Sequence, residues 1–465
     1  MPMASLSRWT MSYFAAALGF LLAAELLVIA GIGYPGAGLL EPATLVVVHV
    51  VAIGWLSLAM AGALLQFVPV LVARPLAFPG LALPALLALL SGLLLLCAGF
   101  ASLAGWTDWP VALLPLAALA LLGGFLLLGL MLVATLLSAR PVTLFARFVL
   151  VGLGCLLVTV ISGATFAAIL SGRGDWLGEI ALLPAGLPFH ALLGFGGWLG
   201  LIAFGVSYRL LVMFLMAPEP PAGQVRLVLI FGSLGLGLAL AGLLAPLADV
   251  GLGAGFAAAP LGALALASAF YGRDILVLYR ARRRKALEIN MLASIPAFAA
   301  LGIGLPLLPV VTAADAPESW LAASVFLLVF GWLGGLTLAQ LMKIVSFMTW
   351  LETYASRLGR GPAPRVGDLV AMPRSGLWFM LYYAGVALGT VALAAGLATT
   401  FRYAMLPALI GTAGIACELM RVRRLSEIKA EQRPPFHEFP RLLLARAEER
   451  RQPHVDDRTA ANPRA

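Results

Sequence analysis

Long apolar segments recur along the whole chain and constrain its fold more than any other feature. About twenty apolar residues in a row are needed to cross the roughly 30 Å hydrocarbon core of a bilayer, and we count twelve segments of that kind. Hydrophobic residues make up 62% of the 465 residues and charged residues only 11%, so one water-facing globule could not bury the apolar surface. We therefore expect an all-α integral membrane protein.

The predicted spans are separated by short polar connections. They cover residues 11–33, 44–71, 79–104, 111–137, 148–171, 188–216, 227–247, 253–272, 289–311, 319–350, 376–398 and 403–420. The first segment is longer than the core of a signal peptide, so it is expected to be retained as a span. Residues 421–465 form a charged tail with a predicted short amphipathic helix at 437–452.

Basic residues fall mainly on one side of the predicted spans, and the block RARRRK from Arg280 to Lys285 is the densest group. The positive-inside rule assigns that side to the cytoplasm. An even number of spans then places both termini there, as in a multi-pass protein of a bacterial-type inner membrane. The net charge of +9 is explained by this orientation, and we expect the lipid bilayer rather than nucleic acid as the partner.

A short motif occurs three times, beginning at Gly54, Gly197 and Gly331, each followed by Trp and Leu. A small residue stands eight positions after each glycine, and small residues let helices approach closely in lipid. The copies fall on predicted spans two, six and ten. The twelve spans therefore divide into three pseudo-repeated four-helix units at about 11–137, 148–272 and 289–420.

Each copy of the motif carries a polar residue twelve positions after its glycine, and these residues are Gln66, Arg209 and Lys343. A rise of about 1.5 Å per residue places them about 18 Å along each helix, towards the cytoplasmic end. They are interpreted either as side chains that reach the interface or as members of an ion path.

Histidines near the external ends of spans two and six add chemistry to the repeat. The segments HVVAIGWLSLAMAGALLQFVPVL from His49 and HALLGFGGWLGLIAFGVSYRLLVMF from His190, set in three quartets of spans, resemble subunit I of the heme-copper oxidases and a branch of uncharacterised subunit I-like proteins. The resemblance implies that His49 is an axial ligand of a low-spin heme b. It implies that His190 is a metal ligand at the position of the copper centre in that family.

Most ligands of such an oxidase are absent from the sequence. Predicted spans seven and ten contain no histidine, and the two remaining histidines, His437 and His454, belong to the tail. Oxygen reduction needs an open heme position facing a copper held by several imidazoles. We therefore expect neither a copper centre nor oxidase activity. One heme b or metal ion is expected at His49, with His190 or a methionine such as Met60 as the second ligand, and with a membrane or redox protein as partner.

Glu25 is interpreted as the acidic residue that lies deep inside a predicted span. An ionised carboxylate at that depth is unfavourable, so the group should be protonated, paired or open to a wet cavity. One hypothesis is a proton-handling group. The other is a neutral carboxyl hydrogen bonded to a neighbouring helix, for example through Ser162, Thr165 or a backbone carbonyl.

Two other classes of function stay open. A cofactor-free carrier or permease could use Glu25 or the polar residues twelve positions after the motif glycines, although the inner spans lack the central prolines of many interrupted carrier helices. An assembly factor for another membrane complex could dock through the charged tail or the basic block at 280–285.

Overall fold

The computed structural model describes residues 8–172, 182–248, 250–252, 256–355, 363–435 and 439–443. Within these ranges every regular element is helical, and twelve helices are long and apolar enough to cross a membrane. The predicted all-α membrane class and the predicted number of spans are confirmed. The helices are α1 Thr10–Ile29, α2 Pro42–Val72, α3 Pro79–Leu103, α4 Leu113–Leu137, α5 Leu144–Leu170, α6 Leu182–Leu215, α7 Ala222–Ala248, α8 Ala258–Arg280, α9 Ile289–Ala313, α10 Glu318–Tyr354, α11 Met372–Ala394 and α12 Ala398–Arg423.

Local sequence signals set several helix ends. Prolines begin α2 and α3, where the missing backbone N–H has no intrahelical partner to lose. Thr143 caps α5 by accepting a hydrogen bond from the backbone N–H of Ala146. Helices α2 and α6 both end at a residue in the left-handed conformation, Ala73 and Met216. These two residues stand at the same distance from their motif glycines, so the two helices end in the same way.

Helices α2, α6 and α10 form the centre of the bundle. They have 31, 34 and 37 residues, and their apolar windows are 61%, 67% and 78% buried, whereas no other span exceeds 50%. Each is preceded by a helix that packs along it, which gives the pairs α1–α2, α5–α6 and α9–α10. The last two helices of each predicted unit also pair, as α3–α4, α7–α8 and α11–α12. Helix α12 packs against α1, so the arrangement closes into a ring around the three central helices.

Each central helix contains a π-helical segment, and these segments are Val50–Ser57, Leu193–Leu201 and Leu327–Gly334. The motif glycine stands at the fifth position of every segment. A π turn holds one more residue than an α turn, and such turns occur frequently at functional sites. The repeated motif therefore coincides with a local widening of the helix at the same place in all three central helices.

The motif glycines lie against the preceding helix of their own unit. A Cβ added at Gly197 would come within 2.5 Å of Cys155 in α5. The equivalent approaches bring Gly54 against Phe20 in α1 and Gly331 against Ala300 in α9. Each motif glycine stands at the equivalent position of its unit. The residues that the glycines contact in α1, α5 and α9 are therefore equivalent to one another.

The charged tail packs onto the end of the bundle that the sequence predicts to be cytoplasmic. Arg423, which is 4% exposed, pairs with Glu352 at 2.9 Å and also donates to the carbonyl of Arg441. The hydroxyl of Ser12 donates to the carbonyl of Leu443 at 3.0 Å. Of the predicted amphipathic helix at 437–452, only 439–443 belongs to the described residues, and that stretch is not helical.

Candidate functional site

The tryptophans of the three motifs interlock the central helices. Each indole contacts the residue three positions after the motif glycine in another unit. These contacts are Trp198 to Ser57, Trp332 to Gly200 and Trp55 to Gly334. The first is a hydrogen bond of 2.9 Å from the indole N–H to the serine hydroxyl. Each central helix thus gives one tryptophan and receives one, in a cyclic order.

His49 is the last α-helical residue of α2 before its π segment. The side chain is half-buried and packs on Phe100 of α3, with ring centroids 5.2 Å apart. Its Nδ1 lies 2.8 Å from the carbonyl oxygen of Leu45. A carbonyl can only accept, so Nδ1 carries the proton and Nε2 carries the lone pair.

His190 lies on α6, three residues before the second π segment. The side chain is half-buried and meets Phe166 of α5 edge-on at 5.4 Å. Its Nδ1 is 2.9 Å from the hydroxyl oxygen of Ser162, and that hydroxyl donates its own proton to the carbonyl of Thr159. With its proton given to Thr159, the serine oxygen is placed to accept from Nδ1, and this arrangement puts the lone pair of His190 on Nε2.

The two imidazoles consequently share one tautomer. Histidines that bind metal usually donate their second ring nitrogen to a carbonyl or another acceptor, which fixes the ring and its basicity. His49 and His190 both show this pattern, and they are close enough to interact electrostatically. The sequence placed them on equivalent helices, and the structure brings them into electrostatic range of each other.

Metal-donor side chains are sparse around the two imidazoles within the described part of the chain. A groove of about 410 Å³ lies between α4 and α5, but its lining is apolar and contains neither histidine. Within the described ranges no three His, Cys, Asp or Glu side chains cluster as a metal site would require. His437 and His454 lie outside the described residues. Two imidazoles, those of His49 and His190, are therefore the histidine donors that the described part of the chain offers to a metal.

Met60 does not suit the role of second ligand. It follows His49 by eleven residues on the same helix, which separates the two Cα atoms by about 16 Å at a helical rise of 1.5 Å per residue. A metal bound to the Nε2 of His49 would be out of reach of that sulfur. His190 is therefore the better partner of the two that the sequence offered.

Glu25 of α1 is fully buried and contacts α12. Its Oε1 accepts a hydrogen bond of 2.7 Å from the hydroxyl of Thr412, and its Oε2 has no partner among the described residues. The expected contact with a neighbouring helix exists, but the expected partners were wrong. Ser162 holds His190 instead, and Thr165 donates to the carbonyl of Ile161 in its own helix.

Two further acidic side chains are buried in the described spans and were not recognised in the sequence. Asp274 accepts from Tyr208 at 2.8 Å and pairs with Arg273 at 3.1 Å. Glu418 pairs with Arg374 through both of its oxygens. They lie close to predicted span ends, which hid their burial. Of the three buried acids, Glu25 alone lacks a basic partner within the described part of the chain.

The polar residues twelve positions after the motif glycines have separate local partners. Gln66 donates to Thr10 at 2.6 Å. Arg209 pairs with Glu219 at 2.9 Å, and both side chains are more than half exposed. Lys343 pairs with Glu288 at 2.6 Å. Those contacts are what residues at helix ends make, so they favour the interfacial interpretation over an ion path.

The π segments, and the side chains that hydrogen bond to their backbone carbonyls, were not predicted from the sequence. Ser57 donates to the carbonyl of Ala52 at 2.7 Å, and Tyr382 of α11 donates to the carbonyl of Phe330 at 2.7 Å. Both carbonyls belong to central helices at or beside the π geometry. The available sequence signal for the π segments was the tryptophan and the small residue that recur in each motif. This signal becomes visible only when the three motifs are aligned.

The fold and its apolar helices define a multi-pass α-helical membrane protein with a buried, mostly apolar interior and two oriented imidazoles. No protein-family model matches the chain, and no curated protein matches it either.

Proposed function

We propose that this protein is related in architecture to heme-copper oxidase subunit I and binds one heme b or one metal ion through His49 and His190, without oxygen-reducing activity. The observation that carries the proposal is that each histidine hydrogen bonds through Nδ1, which leaves Nε2 to serve as the ligand atom. A heme held by two histidines is low-spin and carries single electrons.

The arrangement of helices supports the proposal independently of the histidines. Three quartets of spans around one axis would produce this arrangement. Each central helix has a π segment at its motif, packs against the helix that precedes it, and contacts the next central helix through its tryptophan. A heme supplies four nitrogen ligands of its own, so two axial imidazoles would complete its coordination. Oxygen reduction would need several more imidazoles than these helices supply.

An optical spectrum of the purified full-length protein tests this function. A dithionite-reduced minus oxidised difference spectrum should show Soret and alpha bands if heme is bound, and elemental analysis should show a stoichiometric metal in either case. His49→Ala and His190→Ala should each lose the centre. His454→Ala is the matched control, because it removes a histidine of the tail and should keep the centre. Protein that carries neither bands nor metal when isolated from native membranes would disprove the proposal.

A cofactor-free carrier is the second candidate, and the π segments favour it. Carriers bind their substrates where helices are interrupted near the middle of the membrane. The sequence counted against this function because central prolines are missing, yet each central helix changes geometry at its motif glycine without one. Substrate flux in proteoliposomes that persists when both His49 and His190 are replaced would favour the carrier over the heme protein.

A further inference from the structure

Glu25 stands at a position where the other two units carry aliphatic side chains. The contacts of the motif glycines align Phe20, Cys155 and Ala300, and counting five residues onward from each gives Glu25, Val160 and Leu305. A second contact agrees with this alignment, because Gly62 approaches Tyr13 and Gly205 approaches Phe148 in the same register. Packing at this level of the bundle therefore does not require a carboxyl group.

The surroundings of Glu25 leave one of its oxygens unmatched. Thr412 on α12 occupies Oε1, while Oε2 is buried with no partner among the described residues. Tyr382 on α11 lies within electrostatic range, but its hydroxyl proton is already given to the carbonyl of Phe330. Arg402 lies on α12 towards the predicted external end of the helix. Its guanidinium donates to the carbonyl of Ile29 and not to Glu25. On α2, the antiparallel register of the Phe20–Gly54 contact puts His49 near this level, and its ring packs on Phe100 of α3.

A small cavity lies outward of Glu25, towards the end of α1, and Glu25 is not part of its lining. It has a volume of about 100 Å³ and lies where α1 and α12 meet the loop of residues 30–41, between Val28, Arg402 and a series of loop glycines. Val28 follows Glu25 by three residues on the same buried face of α1, which is less than one helical turn. The cavity is large enough for water, and its lining residue Val28 is offset from Glu25 by about 5 Å along the axis of α1.

We propose that Glu25 is a proton-binding site that exchanges protons with the loop 30–41 face of the membrane, which the sequence predicts to be external. Binding transfers one proton from water in the cavity to Oε2, and release returns it. A metal cation fits poorly, because Ca²⁺ takes six to eight oxygen ligands and the described side chains supply a carboxyl and one hydroxyl. The proposal goes beyond the cofactor function and does not depend on it.

Labelling with the apolar reagent dicyclohexylcarbodiimide tests the proposal, because this reagent reacts with protonated carboxyl groups in apolar surroundings. The full-length protein in sealed vesicles of known orientation is treated over a range of pH, and labelled peptides are identified by mass spectrometry. We expect label on Glu25, falling about tenfold for each pH unit once the group ionises. The fall should follow the pH on the loop 30–41 side and not the pH on the other side.

Glu418 is the internal control, since it is equally buried but paired with Arg374, and it should stay unlabelled. Thr412→Val removes the hydroxyl that stabilises the carboxylate and should raise the pH at which labelling disappears by about one unit. Glu25→Leu copies Leu305 and should fold normally and lose the label. Labelling of Glu25 that is absent at every pH, that does not change with pH, or that follows the opposite side would overturn the proposal.

Discussion

The indole N–H of Trp198 donates to the hydroxyl of Ser57 at 2.9 Å and joins the central helices α6 and α2 in the middle of the bundle. The two equivalent contacts lack this bond, because Gly200 and Gly334 stand where Ser57 stands in the first unit. The indole N–H groups of Trp55 and Trp332 accordingly have no partner within the described residues. The junction between the first and second units is therefore more polar than the other two, and the same two units carry His49 and His190.

Ser57→Ala should destabilise the protein by about 1–3 kcal/mol, because it leaves the buried indole N–H of Trp198 without an acceptor. Unfolding in mixed detergent micelles measures this change. Ser91→Ala is the matched control, since Ser91 is exposed and bonds only to the carbonyl of Ala88 in its own helix; its effect should be close to zero. A Trp198→Phe, Ser57→Ala double variant should be less destabilised than the sum of the single variants. Strict additivity would argue against the bond.

Gly197→Ala should destabilise the bundle by about 1–3 kcal/mol through overpacking. The added Cβ would lie 2.5 Å from the Cβ of Cys155 and 2.7 Å from its sulfur, so α5 and α6 would have to separate. Gly154→Ala, next to Cys155 on α5, provides the comparison because nothing lies within 4 Å of its added Cβ. That variant should be neutral or stabilised by roughly 0.5–1 kcal/mol, as alanine is the better helix former. Equal effects of the two substitutions would show that close approach at Gly197 is unimportant.

Ser162→Ala should weaken the proposed metal centre about 10-fold to 100-fold, because the imidazole of His190 loses the acceptor that fixes its orientation. Titration of the stripped protein with heme or metal, followed by optical absorption or metal content, measures the affinity. Thr165→Val on the same helix is the control, since Thr165 is half-buried and donates to the carbonyl of Ile161 in its own helix. An affinity that is unchanged in Ser162→Ala would show that His190 is not a ligand held by this serine.

Glu427 should stabilise the protein at neutral pH and lose that effect in acid. Hydrogen bonds from Arg374 at 2.7 Å and from Arg421 at 2.6 Å hold the pKa of Glu427 below its usual value of 4.5. A depressed pKa means that the stabilisation is complete above the unfolded value and disappears as the pH falls through the lower folded value. The difference in Tm between the wild type and Glu427→Gln should therefore shrink below about pH 4.5. Glu431→Gln, at an exposed position of the same tail, should show no such difference at any pH.

The candidate site was visible in the sequence as separate residues. His49, His190 and Glu25 stood out because polar groups are rare inside apolar segments, and the free energy of burying them makes each one informative. Their partners could not be predicted, because the contacts join distant parts of the chain. Thr412 follows Glu25 by 387 residues and Trp198 follows Ser57 by 141. Many hydroxyls could have filled either role, and only the packed bundle selects one.

The sequence by itself determined the class of fold, the number of spans and the three positions of the repeated motif. These properties depend on the length of apolar segments and on local spacing, which the bilayer thickness and the helical rise translate directly into structure. The tertiary structure alone decided that the central helices adopt π geometry and that both histidines hydrogen bond through Nδ1. It also decided that, among the described residues, Asp274 and Glu418 have a basic partner whereas Glu25 has none. Such properties depend on which side chains meet across helices. In a bundle of similar apolar helices, these contacts are determined by how the helices pack and not by the sequence pattern of any one helix.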